Sequence, residues 1–219
     1  MSNKKFIYAA GVLLVIAVMF DAGYSQPVPV KKVRETNFFG SVADGRYKNE
    51  FLGFELEMSA GWVRFDQAET DAAKEIGTEG IKTGDSRYDK TIDYATRVEL
   101  VVLAYGKKPM GAIENSAIAI GVAKQPTARV TPKMVAEAAK SILLKNTANK
   151  LLEDVRLETI SGKQFAFFEI SLGMYGQHVP LRYYVTMVRD YSLTVSMSYS
   201  NAEDLKAMES SLRSIKFNR

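Results

Sequence analysis

Cysteine is absent from the 219 residues, and histidine and tryptophan occur once each. Without thiols there are no disulfides to brace the fold, no thiolate metal ligands, no cysteine nucleophile and no lipid attachment through an amino-terminal sulfur. The core must hold the fold by itself, and 47% hydrophobic residues are enough for one substantial core in a chain of this length. The 6 prolines and 15 glycines are too few for a collagen-like or low-complexity architecture. A charge excess of one sign is lacking too: 29 basic residues stand against 25 acidic ones, spread along the whole chain. A nucleic-acid binder concentrates lysine and arginine on one element with stacking aromatics between them. The densest basic pairs here, Lys31-Lys32 and Lys107-Lys108, are too short for that, so no nucleic-acid partner is expected.

What the chain does have, at its start, is a leader. Lys4 and Lys5 precede an unbroken apolar or small run from Phe6 to Phe20, followed by Asp21-Ala22-Gly23-Tyr24-Ser25-Gln26-Pro27. A basic head, a short apolar stretch and small residues at its end mark a secretory signal. As a helix the run covers about 22 Å against roughly 30 Å of bilayer hydrocarbon, which is short for a permanent span. Residues 1–25 are read as a signal peptide, giving an exported protein, periplasmic or extracellular. The alternative is retention of residues 6–20 as a membrane anchor that presents the domain to an envelope partner. Residues 26–45 open with Gln26-Pro27-Val28-Pro29 and have few periodic apolar positions, so they read as a linker or extended arm. One folded unit is expected over residues 46–219.

Within that unit, Phe54, Leu56 and Met58 alternate with Glu55 and Glu57 as in a half-buried strand, and Ser59-Ala60-Gly61-Trp62 turns the chain with Trp62 anchored in the core. Asp66 and Glu69 have capping-box spacing before a short helix. The stretch from Gly77 to Lys90 carries three glycines among charges and reads as a surface loop. Arg97 to Tyr105 is apolar on both faces and Ala117 to Val122 is a second apolar segment. Thr131-Pro132 marks the start of a helix through Met134, Val135, Ala138, Ala139, Ile142 and Leu143. Strands follow at Val155 to Ile160, Gln164 to Leu172 and Val179 to Arg189, the first two joined at Ser161-Gly162-Lys163. Next, Leu193, Val195, Met197 and Tyr199 alternate with Ser192, Thr194, Ser196 and Ser198, so that one face is apolar and the other polar. Ser200 and Glu203 have capping-box spacing before a last helix with a Leu205, Met208, Leu212 stripe. Hairpin-length connections require antiparallel pairing, so the expected class is α+β: a mostly antiparallel sheet packed with helices.

The run Tyr47-Lys48-Asn49-Glu50-Phe51-Leu52-Gly53-Phe54-Glu55-Leu56-Glu57-Met58 leading to Gly61-Trp62, and the closing Ser211-Leu212-Arg213-Ser214-Ile215-Lys216-Phe217, resemble the PsbP and Mog-type family and its bacterial exported members. Family members commonly carry a proline just before the tryptophan corner, where this chain has Ser59-Ala60-Gly61-Trp62. The resemblance implies an antiparallel sheet between helical layers, an α/β/α sandwich, and a role in binding or assembly instead of chemistry. It carries over no specific partner and no site residue.

Searching for chemistry returns little. His178 lacks neighbouring histidine or cysteine partners for a metal, and there is no Gly-x-Ser-x-Gly elbow. Asp85, Asp89 and Asp93 repeat at helical spacing, but the segment lacks the glycine and terminal glutamate of an EF-hand. Neither Gly77, Gly80 and Gly84 nor Gly106-Lys107-Lys108 completes a phosphate cradle. No metal and no cofactor are expected. Tyr175, His178, Arg182, Tyr184 and Arg189 give the late hairpin region an aromatic and basic character suited to recognition. The expectation is a non-catalytic binding or accessory module for an unknown protein or small ligand, with membrane contact only if the leader is retained. The alternative is an exported hydrolase using His178 with an unassigned serine and aspartate.

Overall fold

The computed structural model describes residues 38–112 and 114–218. The leader and most of the arm, residues 1–37, lie outside the described residues. The chain enters with Phe38 already in the core, then forms β1 (Ser41–Ala43), β2 (Arg46–Asn49) and β3 (Phe54–Glu57). The folded unit therefore begins inside the stretch read from sequence as an arm. A short β4 (Val63–Arg64) leads into α1 (Gln67–Ile81), whose start carries the expected capping box. The Asp66 carboxylate accepts from the Glu69 amide, and the Glu69 side chain accepts from the Asp66 amide.

From Gly77 to Lys90 the structure departs from the expected loop. α1 continues through Gly77 and Gly80 to Ile81, and α2 (Ser86–Val98) starts after Asp85, whose side chain caps the amides of Arg87 and Tyr88. Gly80 is helical because the helix passes close to the strand beneath: a Cβ there would sit 2.0 Å from the Met174 methyl. Packing here overrides the low helix propensity of glycine.

Then come β5 (Leu100–Gly106), β6 (Ala117–Lys124), α3 (Pro132–Leu143), β7 (Lys150–Ile160), β8 (Lys163–Met174), β9 (Gln177–Val188), β10 (Tyr191–Ser198), α4 (Ala202–Arg213) and β11 (Lys216–Phe217). Ser161 and Gly162 both have positive φ, the conformation that closes a two-residue hairpin. The cap of α4 is Asn201, one residue beyond the serine expected, and it accepts from the Asp204 amide at 2.9 Å. Asp204 itself is buried, where it accepts from Ser116 at 2.7 Å and Lys107 at 2.5 Å.

Seven strands form one antiparallel sheet in the order β4-β5-β6-β10-β9-β8-β7, and four form a second in the order β1-β2-β3-β11. On one face of the large sheet, Ile81, Ile92, Val135 and Leu143 from α1, α2 and α3 pack against Phe168, Ile170, Tyr183 and Val185. On the other face, the small sheet and α4 bring Tyr47, Phe54, Met208 and Leu212 against Tyr105, Phe165, Phe167, Val195 and Met197. The class is α+β with antiparallel sheets, helices lie on both sides, and a second sheet shares one side with α4. Trp62 is half-buried against this second core, its ring centroid 6.0 Å from that of Tyr105.

Candidate binding face

Three of the five recognition residues, His178, Arg182 and Tyr184, stand on the same side of β9, the side that carries α4 and the small sheet. The alternation of β9 dictates this, because Leu181, Tyr183 and Val185 enter the helix-side core. Their surroundings differ. Tyr184 is 2% exposed and packs against Phe167 at 4.7 Å between ring centroids, so it belongs to the core and not to an open patch. His178 is exposed near the tip of the β8–β9 hairpin, its Nδ1 3.4 Å from Ser171 Oγ. No carboxylate bonds the ring among the described residues, so the three-membered hydrolytic arrangement is not assembled there.

Tyr175 occupies the hairpin tip itself, exposed, with φ of 50°. Arg189 lies in the β9–β10 turn at φ of 56°, at the opposite end of β9, with its guanidinium carbon 5.8 Å from the Phe51 ring centre. A left-handed backbone costs such residues roughly 1–2 kcal/mol, which the turns around them must offset. The patch is therefore one half-buried arginine, an exposed hairpin tip, one core tyrosine and one remote turn.

Arg182 organises the middle of this face. Its Nε donates to Glu169 Oε2 at 2.7 Å, and an Nη donates to Glu209 of α4. Tyr199 donates its hydroxyl to the other Glu169 oxygen. Beneath lies the Phe167 ring, with the Arg182 guanidinium carbon at 5.5 Å and that of Arg156 at 4.5 Å. Arg156 is held in turn by Glu153 at 2.5 Å and Glu158 at 3.0 Å. Burial works against the Arg182 charge, yet Glu169 above all holds the guanidinium well above its ordinary range. Burial also pushes the Tyr199 phenol up to about 12, and its bond to Glu169 adds to the shift. The result is a fixed cation on an aromatic floor, partly open to solvent.

The aspartate repeat has a structural use at each position. Asp85 caps α2, Asp89 accepts from the amides of Thr83 at 3.0 Å and Gly84 at 3.1 Å, and Asp93 pairs with Lys82 at 2.8 Å. Helical spacing does line up Asp89 and Asp93 on α2, but the helix termini and Lys82 take up their charge.

No protein-family model matches the sequence, and no curated protein matches it. Among solved structures the chain is similar to cyanobacterial PsbP (CyanoP) from Synechocystis, at 14% identity, covering 81% of this chain and 96% of that one, with a TM-score of 0.47. It is also similar to LpqN of Mycobacterium tuberculosis, involved in cell envelope biogenesis, at 12% identity over 76% of this chain and 83% of that one, TM-score 0.45.

One residue without any distinguishing sequence pattern proves unusual. Glu99 joins α2 to β5, is 1% exposed, and accepts from Thr194 Oγ1 at 3.1 Å on one carboxylate oxygen only. Lys74 of α1 donates to the Glu99 main-chain carbonyl at 2.6 Å. Lys74 also lines a depression of about 320 Å³ between α1 and α2, with Asp71, Thr78, Asp93, Thr96 and Arg97. Burial pushes the Glu99 carboxyl well above the usual carboxylate range, opposed by the Lys74 charge. Burial likewise lowers Lys74.

A pH dependence follows. An unfolded glutamate titrates near about pH 4.3. The folded state holds this proton more tightly, so the stabilisation is complete below that pH and is lost as pH rises through the raised value. Glu99→Gln is neutral throughout. Its melting temperature is expected to exceed that of wild type at pH 8 and to converge with it at pH 4. Thermal denaturation at both pH values checks this, and a difference that does not change with pH contradicts it.

Proposed function

We propose that this chain is an exported, PsbP-like accessory module that acts by binding a protein or small ligand, with no turnover of its own. The partner engages the face of β8 and β9 beside α4, with His178 near the hairpin tip as its outer edge, while Tyr175 turns to the other side of the sheet, its hydroxyl 3.5 Å from the Ile76 carbonyl of α1. The observation that carries this reading is Arg182, held by Glu169 and Glu209 over Phe167 while keeping 22% of its side chain exposed. An arginine fixed in advance over an aromatic ring loses little conformational freedom on binding, which is the character of an interface anchor. The leader supports export, and the exposed His178 beside a half-buried Ser171 favours contact over catalysis.

The test is affinity recovery from the native envelope fraction with wild type, His178→Ala and Arg182→Lys. A specific partner retained by wild type and reduced at least about tenfold by either variant, with unchanged circular dichroism, is the expected result. A tenfold change corresponds to about 1.4 kcal/mol. Equal recovery by all three would remove this face from the reading. Turnover by the purified domain that vanishes in His178→Ala would replace the reading with catalysis.

A further inference from the structure

β7 is the last strand of the large sheet, 11 residues long, and among the described residues no strand pairs with its outer edge. An open edge offers main-chain groups to another strand, and proteins blunt it with charges and bulges. β7 has both, yet it also carries Leu151, Leu152 and Leu157 at 38, 55 and 44% exposure. Among the described residues no other strand or helix carries more than one exposed large apolar side chain.

The side of the sheet that each residue takes follows its partner on β8, whatever the register shifts between them. Leu151 pairs with Ile170 and Leu157 with Ala166, both of which enter the core beneath the three helices. Lys150 pairs with Ser171 and Glu158 with Phe165, on the α4 side. Asp154 is midway between the leucines and midway between Lys150 and Glu158. Two antiparallel copies of β7 related by a two-fold axis at Asp154 therefore set Leu151 against Leu157 on one side and Lys150 against Glu158 on the other, each twice. Moving the axis by one residue sets Leu151 against Val155 or Thr159, and Lys150 against Arg156 or Ile160, so the match belongs to one register. The carboxylates that meet at the axis are already balanced. Asp154 Oδ1 accepts from Lys140 of α3 at 2.5 Å and from the Val155 amide at 2.7 Å.

We propose that the β7 edge is a contact between two copies of this chain, paired antiparallel about a two-fold axis at Asp154, so that their large sheets join edge to edge. Residues 150–152 of each copy run beside 156–158 of the other, on either side of a bulged centre. Two-fold pairing uses both edges and closes, so no third copy can add there. So short a contact falls at the weak end of interface size, and the chain is monomeric at the low concentrations of denaturation experiments.

The test measures association of the full chain by sedimentation, in a mild detergent that covers the apolar run of residues 6–20. Leu151→Arg and Leu157→Glu each set a charge against a leucine of the second copy, and each is expected to weaken association at least about tenfold. The variant carrying both sets opposite charges together across the axis and is expected to recover to within about threefold of wild type. Within one chain the two positions stand roughly 20 Å apart along the strand, so only pairing between copies explains recovery. The chain has no cysteine, so Asp154→Cys places a single thiol in each copy at the axis. Paired residues of antiparallel strands lie within disulfide reach, and oxidation is expected to link this variant faster than Lys90→Cys, an exposed position on α2. A chain that stays monomeric up to about 1 mM, association unchanged by both single substitutions, a double variant no better than the singles, or linkage no faster than at position 90 overturns the proposal.

Discussion

Truncating Phe168 to alanine is expected to lower the free energy of unfolding by about 3–5 kcal/mol, the range for removing a buried aromatic ring. Phe168 is 0% exposed in the middle of β8, its ring centroid 5.0 Å from that of Tyr183 on the neighbouring strand. It points to the helix side, where Val135, Ala136 and Ala139 of α3 close over it. Two of those three are alanines, which cannot extend to fill the space left, so the cavity term adds to the lost transfer energy. Against a total stability of roughly 5–15 kcal/mol, the loss is a large fraction. Urea denaturation reads it as a lower midpoint with an unchanged slope. Leu157→Ala, on the exposed edge strand β7, is the control and is expected to cost under about 0.5 kcal/mol. A Phe168→Ala loss below about 1 kcal/mol would mean that α3 is not seated on β8 and β9.

The parts of this fold legible in the sequence are those where local chemistry and packing agree. Thr131-Pro132, the Asp66 and Glu69 pair and the Ser161-Gly162 turn mark element ends through the main-chain groups they satisfy, and each stands where expected. The second sheet was not legible, because β1, β2 and β11 have three, four and two residues, too few to show a period. α1 runs on through Gly77 and Gly80 because contacts distant in sequence hold it there. β10 shows the same limit from another side. Alternation assigns its serines to one face, but whether that face meets solvent or helices depends on α1, α2 and α3. The candidate site obeys the same rule: even spacing puts His178, Arg182 and Tyr184 on one side of β9. What covers each of them is decided by α4 and the small sheet, so that one is exposed, one half-buried and one in the core. Glu99 carries no local signal at all, since its burial is made by Lys74 and Thr194.

Arg182→Ala is expected to cost about 2–4 kcal/mol, below the 3–5 of a fully buried pair because solvent reaches part of the side chain. The loss comes less from the missing attraction than from what stays behind. Glu169, with 11% of its side chain exposed, would keep its charge with only the Tyr199 hydroxyl to bond it, and Phe167 would lose one of its two covering guanidiniums. A double-mutant cycle separates these contributions. If the stranded carboxylate dominates, Arg182→Ala with Glu169→Gln recovers at least half of the loss, whereas simple additivity would assign the effect to packing on Phe167. Arg182→Lys tests geometry at constant charge. An ammonium cannot present a planar fork to Glu169 and Glu209 while stacking on a ring, so it keeps part of the stability and loses the fixed orientation. On the proposed binding face that difference has a sign of its own. Partner affinity should fall further for the lysine variant than its stability does, because recognition depends on where the charge points and folding depends mainly on its being balanced.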